Sequence, residues 1–555
     1  MAKRRARTPG RTARPPIDWS AVRREAARRF AVHAFRPGQR ELIEAALQGR
    51  DALGLLPTGA GKSLTYQLPA LFLPRAVVVV SPLLSLMKDQ QEKAQDARIE
   101  VAKLDSTLTT AEERETAEEI AQGANDLIYV TPERLENPGY LDLLRTRGVS
   151  LFVVDEAQCV SHWGHDFRPA YLALPDAIRA LGRPPVLALT ATATPQVVED
   201  IVRQLGIAGA EIVNLGIERP NLRYEVLRTV NGAAKRESLL RLLREEKGSG
   251  IVYAATIRKV EDLRRFLLAN GIDAGRYHGK LPTREREEIQ ESFMNGRTRV
   301  MVATSAFGMG VDKPDIRFVV HWNFPDSLET YVQEVGRAGR DGKPARATLL
   351  YRLEDKRVQS FFLGGKYPRR QETLAVWSAI ARGPASAREL ARRTDLPEKK
   401  VKVIAAQLVG AGAAERKRQE VVALRPLRPK ELDRLLSTYE KRHASDRDRL
   451  EQMMRYAQST GCRVRTLREY FAEEPGEACG RCDNCKQPIA VARPATAARN
   501  RVPPKARAPK FRLGDEVRHR RYGHGKVLQV NGGNVIVAFA RDQTHKIRQD
   551  WLSPA

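Results

Sequence analysis

The chain of 555 residues is long enough for about three to five domains with hydrophobic cores of their own. Its 95 Lys and Arg residues against 67 Asp and Glu residues, a formal net charge of +28, indicate a polyanionic partner, nucleic acid before membrane, although a genome biased towards Arg and Ala would produce the same excess. No apolar run approaches a membrane span and no apolar signal core follows the basic N-terminus, which excludes a membrane protein and predicts a soluble, intracellular one.

The first predicted domain, residues 18–208, alternates short apolar strands with helical segments, a pattern typical of a doubly wound parallel sheet. Asp18 or Ser20 is expected to cap its first helix. Because the carboxyl ends of parallel strands meet at one edge of a sheet, the polar clusters that follow these strands are expected to lie together. Residues 1–17 are rich in Arg and Pro without periodicity, which predicts a disordered basic tail.

A glycine-rich loop follows the first of these strands. Gly59 and Gly61 let backbone N–H groups converge on phosphate oxygens, and the helix that follows adds a favourable dipole. Lys62 would reach the terminal phosphates and Ser63 would bind magnesium. The strict Gly-x4-Gly-Lys pattern is not met, because Leu56 stands at its first position. The alternative is a glycine turn with an incidental lysine, and the strand–loop–helix context argues against it.

Two carboxylates, Asp155 and Glu156, follow the apolar strand 151–154 at its carboxyl end, where open α/β sheets bind their ligands. The next segment, residues 161–169, is called the aromatic loop here. It combines aromatic, imidazole and cationic side chains: His162, Trp163, His165, Phe167 and Arg168. The pattern predicts a metal-and-water site joined directly to an aromatic, cationic segment.

A second α/β unit is predicted over residues 209–352, again from strands that alternate with amphipathic helices. Its segment 331–342 is predicted to place Gln333, Arg337 and Arg340 on a helix, where arginines three residues apart share a face. The choice lies between a solvated basic face and arginines that act across the domain boundary. Two neighbouring glycines and the second nucleotide-type unit favour the latter.

Eight motifs follow one another along these two units: FRPGQ, TGAGKS, SPLLSLMKDQ, VTPERL, DEAQC, TATAT, GMGVDKPD and QEVGRAGRDG. In this order they resemble the RecQ family of superfamily 2 helicases over about residues 20–360. The aromatic loop resembles the loop that separates RecQ proteins from DEAD-box RNA helicases. One departure is Gln158, where the family usually has His. Glutamine forms hydrogen bonds but cannot become charged, which bears on the coupling between the ATP and DNA sites.

The resemblance implies an ATP-dependent DNA helicase of 3′→5′ polarity that acts in DNA repair and recombination on single-stranded, branched and duplex DNA. Two tandem RecA-like motor domains would bind ATP between them, with Arg36 and Gln39 reading the adenine. The other nucleotide contacts would come from Thr58, Gly59, Gly61, Lys62, Ser63 and Asp312. Two alternatives stay open. One is an RNA helicase, against which the aromatic loop and the cysteines argue, and the other is a DNA-stimulated translocase or tethering factor that separates no strands.

The same resemblance implies the catalytic roles. Asp155 would hold Mg²⁺ together with Ser63, and Glu156 would position or deprotonate the attacking water. The second domain would supply Gln333, Arg337 and, as the arginine finger, Arg340. Single-stranded DNA would contact Trp163, Phe167 and Arg168 by stacking and charge.

Four of the five cysteines are clustered: Cys462, Cys479, Cys482 and Cys485. Four thiolates in close pairs suit tetrahedral Zn²⁺ with no open position, which predicts a structural site. An iron–sulfur protein would have its next cysteine at position 489, which is Ile489. The surrounding sequence resembles the RecQ zinc subdomain. We therefore expect a helical zinc-binding subdomain over residues 429–488 that begins with a long amphipathic helix over 429–458.

Residues 353–428 are predicted to form a winged helix, from a helix–turn–helix pattern followed by two short strands. The order is unusual, because in typical RecQ proteins the winged helix follows the zinc subdomain. Lys399 and Lys400 on the second helix would contact DNA phosphates or form a solvated face, and the sequence leaves both open.

Residues 489–509 predict a flexible basic linker, and residues 510–555 alternate in short strands joined by Gly- and Asn-containing turns. The latter pattern predicts a small SH3- or Tudor-like barrel, similar to the C-terminal module of the superfamily 1 helicases UvrD and PcrA. Its ligand is open between a protein, for example RNA polymerase, and DNA. For the whole chain we expect a monomer in the cytoplasm, associated with the nucleoid, with ATP, Mg²⁺ and Zn²⁺ as cofactors.

Overall fold

The structure, a computed structural model, describes residues 16–82, 84–105, 107–161, 163–164, 168–308, 311–417, 420–486, 511–520, 522–531, 534–539 and 543–555. The predicted linker and residues 1–15 of the predicted tail lie outside these ranges. The chain divides into two compact units, residues 1–489 and 490–555, each considered by itself below.

Seven parallel strands form the sheet of the first domain: β1 (Ala52–Leu55), β2 (Ala76–Val80), β3 (Val101–Leu104), β4 (Leu127–Val130), β5 (Val149–Val154), β6 (Val186–Thr190) and β7 (Glu211–Asn214). Its helices are α1 (Trp19–Phe30), α2 (Gln39–Gln48), α3 (Leu64–Ala70), α4 (Leu84–Asp96), α5 (Thr110–Gln122), α6 (Pro138–Arg147), α7 (Leu174–Ala180) and α8 (Pro195–Leu205). The strand order is β3-β4-β2-β5-β6-β1-β7. Every residue of β2 is buried, as expected for a strand covered on both faces. The predicted doubly wound sheet is confirmed.

The two ends of this domain differ in how well local sequence predicts them. Asp18 caps α1, because its carboxylate accepts from the N–H groups of Ser20 (3.0 Å) and Ala21 (3.1 Å). At the other end the sheet runs beyond the predicted boundary at residue 208, since β7 pairs in parallel with β1. The residues of β7 are alternately half-buried and exposed, so this edge strand has no continuous apolar run.

Six parallel strands form the second sheet: β8 (Leu222–Arg228), β9 (Ser249–Tyr253), β10 (Ala274–Tyr277), β11 (Val300–Ala303), β12 (Ile316–His321) and β13 (Ala345–Tyr351). Its helices are α9 (Gly232–Glu245), α10 (Ile257–Ala269), α11 (Thr283–Met294) and α12 (Leu328–Val335). The strand order β10-β11-β9-β12-β13-β8 leaves β8 at one edge. This sheet also has a buried apolar cluster on each face, as a doubly wound domain requires.

Helix α13 (Lys356–Lys366) leads from the second sheet into a winged helix. This domain comprises α14 (Arg370–Ala381), β14 (Ala385–Ser386), α15 (Ala387–Thr394), α16 (Glu398–Gly410), β15 (Ala414–Lys417) and β16 (Glu420–Ala423). Its three strands form an antiparallel sheet in the order β14-β16-β15. Apolar side chains of α15 and α16 lie at the centre of the domain, where Leu390, Val401, Ile404 and Leu408 are fully buried.

The cysteine-bearing segment follows, with α17 (Pro429–Gln458), α18 (Arg463–Tyr470) and α19 (Asp483–Lys486). Helix α17 has the bounds that its amphipathic pattern predicts. Its C-terminal half shares a hydrophobic core with the second domain, for example through the rings of Tyr456 and Tyr331, whose centroids are 5.3 Å apart. Among the helices that the structure describes, α17 included, none is both long enough and apolar enough to cross a membrane.

In the described residues of the second unit, five antiparallel strands form a small β module: β17 (Glu516–His519), β18 (Gly523–Asn531), β19 (Asn534–Phe539), β20 (Gln543–Arg548) and β21 (Leu552–Pro554). They lie in the order β20-β19-β18-β17-β21. Among the described side chains, Val517, Val527, Val535 and Val537 lie in one hydrophobic core. Short antiparallel strands around such a core agree with the module predicted from the turn pattern.

Candidate functional site

Three neighbouring strands of the first sheet end at the same edge and bring their polar segments together. β6 lies between β5 and β1 and pairs with both. Asp155 follows β5, Thr190 ends β6, and the glycine-rich loop follows β1. Parallel sheets bind ligands at the carboxyl ends of their strands. These segments, far apart in sequence, therefore form one site.

A cavity of about 360 Å³ opens at this edge, a size suited to a small molecule. The first domain contributes to its lining Arg36, Thr58, Gly59, Gly61, Lys62, Ser63, Asp155 and Glu156. The second domain contributes Asp312, Gln333, Arg337 and Arg340. The structure thus gathers the residues predicted for nucleotide binding and catalysis around one cavity, apart from Gln39, which lies behind the loop.

Gln39 and Arg36 support the shape of the glycine-rich loop, residues 58–63, which is called the phosphate loop below. The amide nitrogen Nε2 of Gln39 donates to the carbonyls of Ala60 (3.1 Å) and Gly61 (3.0 Å), and its Oε1 accepts from the N–H of Arg36 (2.9 Å). The Arg36 guanidinium donates to the carbonyl of Gly59. Gly61 has a φ of +79°, and a Cβ there would lie 2.5 Å from Gln39 Nε2, so only glycine fits. Both residues predicted to read adenine are engaged with this loop in the structure.

The paired carboxylates Asp155 and Glu156 carry more negative charge than Lys62 beside them offsets. Asp155 is 8 % exposed, and burial together with the charge of Glu156 raises its pKa against the lowering effect of Lys62. Its carboxylate accepts from the N–H of Glu156 (3.0 Å), and its backbone carbonyl accepts from the Tyr171 hydroxyl (3.0 Å). A divalent cation bound at this position would supply positive charge and so relieve the repulsion between the two carboxylates.

Gln158 connects the Glu156 carboxylate to the end of strand β6. Its Nε2 donates to Glu156 Oε2 at 2.8 Å, and its Oε1 accepts from Thr190 Oγ1 at 2.7 Å. The residue is 2 % exposed, and Thr190 also contacts the backbone of Thr192. A neutral amide therefore performs a bridging role that needs one donor and one acceptor, which a neutral imidazole also offers.

For the DNA-stimulated ATPase activity that the family resemblance implies, we expect Gln158→His to keep the stimulated turnover, because one ring nitrogen donates and the other accepts. Gln158→Ala removes both hydrogen bonds, each of which contributes about 1–3 kcal/mol where it is buried. We expect it to lower kcat in the presence of single-stranded DNA by about tenfold, which corresponds to about 1.4 kcal/mol. Steady-state ATPase assays with and without oligo-dT check both variants. Equal stimulation of Gln158→Ala and the wild type would contradict the bridging role.

Arg337 and Arg340 lie on a turn, so the prediction that they share a helix face is wrong. Helix α12 ends at Val335 and the chain then turns through residues 336–342. Gly339 has a φ of +59°, a conformation that a helix excludes. Three glycines within seven residues lower the helix propensity of this segment, and the turn aims both arginines at the cavity.

Asp312 joins the two domains at the mouth of the cavity. Its Oδ1 lies 2.5 Å from Arg340 Nη1, and its Oδ2 pairs with Lys93 from α4 of the first domain. Burial alone would raise the pKa of Asp312, but Arg340 and Lys93 outweigh burial and hold the pKa at about 2. The carboxylate is therefore ionised at neutral pH and holds Arg340 over the phosphate loop, where its side chain packs against Gly59.

Arg219 contacts both sides of this site, although no sequence pattern indicates it. Its guanidinium donates to the carbonyl of Thr58 in the phosphate loop (2.8 Å). It also donates to carbonyls in the turn 336–342, called the arginine turn below: those of Gly336 (3.3 Å), Ala338 (3.2 Å) and Gly339 (2.7 Å). It therefore ties the phosphate loop of one domain to the arginine turn of the other. An isolated arginine between two domains shows no periodicity, and the adjacent Pro-Asn pair indicates a turn only.

In the described part of the aromatic loop, Trp163 and Arg168 contact other segments of the protein. Four residues of the loop lie outside the described ranges: His162, His165, Asp166 and Phe167. The Arg168 guanidinium donates to the carbonyl of Pro82 at 2.7 Å, in the segment that follows β2. Trp163 is half-buried against the core of the first domain, and its carbonyl accepts a hydrogen bond from Arg449 of α17.

The sequence offers two lysines of the winged helix as possible DNA contacts. The structure describes the side chain of Lys400, and that of Lys399 lies outside the description. Lys400 is only partly exposed and is paired within the protein. Its ammonium donates to both carboxylate oxygens of Glu372 on α14, at 2.8 and 3.0 Å, and its side chain is 17 % exposed. A partner 28 residues earlier in the chain neutralises this lysine, a pairing that helix periodicity does not predict.

The four clustered cysteines converge on one point. The sulfur atoms of Cys462, Cys479, Cys482 and Cys485 lie within 4.8 Å of one another. Zinc with Zn–S distances of about 2.3 Å would place its sulfurs about 3.8 Å apart, so this set fits with a small contraction. Backbone N–H groups of Cys479 and Arg463 donate to two of the sulfurs, which favours the thiolate form that a metal requires.

Three family models match the chain: DEAD/DEAH box helicase over residues 36–201, helicase conserved C-terminal domain over 234–342 and RecQ zinc-binding over 419–486. The ATP-dependent DNA helicase RecQ of Bacillus subtilis is 35% identical over 458 residues, which are 82% of this chain and 65% of that protein. The chain belongs to the RecQ family of superfamily 2 helicases.

A second RecQ-family relative covers less of the chain. The RecQ protein of Pasteurella multocida is 41% identical over 327 residues, 59% of this chain and 51% of that protein. The chain thus spans between about half and two thirds of the length of these RecQ relatives. The structure of the helicase Lhr of Mycobacterium smegmatis matches 74% of this RecQ-family chain and 61% of its own with a TM-score of 0.52 and 23% identity, a likeness of fold.

Proposed function

We propose that this protein is an ATP-dependent DNA helicase that translocates 3′→5′ on single-stranded DNA and unwinds duplex DNA in repair and recombination. One observation carries the proposal. A single cavity is lined by Lys62, Asp155 and Glu156 from one α/β domain and by Arg337 and Arg340 from the other. A nucleotide bound there contacts both domains at once, so hydrolysis and release would change their separation.

ATP would bind with its phosphates on the glycine-rich loop, where Lys62 offsets their charge. The residues fit Mg²⁺, because Ser63 and Asp155 offer oxygen ligands, and burial beside Glu156 leaves the Asp155 carboxylate with negative charge that Lys62 does not offset. When bound, Mg²⁺ neutralises charge on the phosphate oxygens. Glu156 would orient the attacking water and accept its proton, and Gln158 would hold that carboxylate in place.

Arg340 would act as the arginine finger after exchanging one partner for another. In the structure it pairs with Asp312 at 2.5 Å while its side chain packs on the phosphate loop. A γ-phosphate carries more charge than the carboxylate, so we propose that it draws Arg340 away from Asp312. A positioned arginine of this kind raises turnover by about 10³–10⁵-fold.

Zn²⁺ is proposed for the four cysteines as a structural ion. The set offers four sulfur ligands and no position for water, which excludes a direct part in hydrolysis. We propose DNA as the polyanionic partner, in line with the net charge of +28 and the printed names of the relatives, and the nucleoid as its location. The 3′→5′ polarity rests on the family resemblance alone.

One preparation of the full chain tests this function. We expect oligo-dT to stimulate ATP turnover more than oligo-U does, and we expect a 3′-tailed duplex to be unwound and a 5′-tailed duplex to be left intact. Glu156→Gln serves as the inactive control for contaminating helicases. Strong ATP turnover without strand separation would overturn the helicase proposal in favour of a translocase, and stimulation by oligo-U alone would make RNA the substrate.

A further inference from the structure

Helix α17 of the cysteine-bearing segment meets both α/β domains at one side chain, Arg449. Its guanidinium donates to the backbone carbonyl of Trp163 in the aromatic loop of the first domain. The same group donates to Asp446 one turn earlier at 2.8 Å and pairs with Glu329 of α12 in the second domain at 3.7 Å. One arginine therefore links the aromatic loop, the second domain and the cysteine-bearing segment.

This contact is built into the interior of the protein. The side chains of Arg449, Asp446 and Glu329 are 13, 9 and 5 % exposed. The second oxygen of Asp446 accepts from the hydroxyl of Tyr367 at 2.6 Å, in the segment that joins α13 to the winged helix. A buried cation with two carboxylates is costly to assemble unless its geometry is satisfied, and this guanidinium donates to two acceptors and lies within ion-pair distance of a third.

The partner in the second domain leads directly to the nucleotide cavity. Glu329 lies on α12 four residues before Gln333, so the two share one face of that helix. Gln333 lines the cavity, and the turn with Arg337 and Arg340 begins where α12 ends. A displacement of α12 relative to the aromatic loop therefore moves the cavity-lining arginines of the second domain.

We propose that Arg449 is a positioning residue that couples DNA at the aromatic loop to α12 and hence to ATP turnover. This rests on the proposed helicase function. When DNA shifts the backbone at Trp163, Arg449 transmits the shift to Glu329 through its guanidinium. The cysteine-bearing segment then has a mechanical part in the ATPase cycle, since it holds the arginine that both domains contact.

Arg449→Lys tests the proposal without removing the buried charge. An ammonium group keeps Asp446 and Glu329 paired with a cation but cannot reach three acceptors in the fork of a guanidinium. We expect kcat in saturating oligo-dT to fall by about tenfold, within the usual range of coupling between sites. Basal ATP turnover, KM for ATP and the half-saturating oligo-dT concentration should each stay within about twofold, because no group that binds ATP or DNA has been removed.

Arg447→Lys is the matched control, since Arg447 is exposed on the same helix and undergoes the same chemical change. It should leave stimulation unchanged. A double-mutant cycle with Glu329→Gln adds the partner, and we expect the two single effects on stimulated kcat to be non-additive. Melting temperature and zinc content, measured on the same samples, separate loss of coupling from loss of fold.

The outcomes are distinct. A wild type that oligo-dT does not stimulate overturns the proposed function, and the coupling role with it. A stimulated wild type with equal stimulation of Arg449→Lys overturns the coupling role alone. A parallel loss of basal and stimulated turnover, or additive effects of Arg449→Lys and Glu329→Gln, assigns Arg449 to the stability of the fold and also overturns the coupling role.

Discussion

Replacing Glu156 by Gln is expected to lower kcat for ATP by about 10³-fold, within the range that a positioned acid–base group contributes. An amide keeps the shape of the carboxylate and its contact with Gln158, but it cannot accept a proton from the attacking water. ATP and single-stranded DNA should still bind, because the phosphate loop and the aromatic loop are unchanged. Steady-state ATPase assays and oligo-dT binding by fluorescence anisotropy, on one preparation, check both statements.

Two further variants define how this result is interpreted. Glu199→Gln makes the same chemical change at an exposed position on α8, away from the cavity, and should behave as the wild type. Lys62→Ala should also abolish turnover, but by removing the charge that offsets the phosphates, so nucleotide binding should weaken too. A Glu156→Gln variant that still hydrolyses ATP at the wild-type rate would refute the role assigned to Glu156.

Removing zinc is expected to unfold the segment from Cys462 to Lys486. Structural zinc contributes about 10–16 kcal/mol in zinc-finger peptides, as much as the whole stability of many domains. Cys482 is fully buried in the core shared with the second domain, and the Asp483 carboxylate accepts from the N–H of Val226 in the edge strand β8 at 3.0 Å. Loss of this segment would uncover β8. A chelator, or Cys482→Ser, should therefore lower the melting temperature and expose tryptic sites within 463–486.

Cys159→Ser is the matched control, because it removes the one cysteine that lies outside the cluster. It should retain one zinc per chain by atomic absorption and the wild-type tryptic pattern. The structural role of zinc would be wrong if chelation removed the metal and left both the pattern and the melting temperature unchanged.

Much of the fold is predictable because its signals are local. Helix α17 begins and ends where its amphipathic pattern does, and Asp18 caps α1 as short polar residues before helices do. The phosphate loop and the carboxylates after β5 converge because both follow parallel strands of one sheet. The arginine turn was not predicted, because the spacing of Arg337 and Arg340 fits a helix as well as it fits a glycine-rich turn.

The long-range contacts that basic side chains make between the domains were not predictable for a different reason. Lys93, Arg219 and Arg449 are three among 95 basic residues, and no sequence period distinguishes them from solvated ones. Arg219 reaches Thr58 across 161 residues of chain and Arg449 reaches Trp163 across 286. For Lys400 the opposite holds: its position on the second helix of the winged helix suggested a contact with DNA, but Glu372 neutralises it within the protein.

The amino-acid sequence by itself determined the two α/β domains, the phosphate loop, the paired carboxylates and the cysteine set, because each depends on residues that are neighbours in the chain or on the common edge of a parallel sheet. Only the tertiary structure decided which cations bridge the domains. Long side chains choose their partners from whatever the packed domains bring within reach, and that choice depends on distances that no local pattern encodes.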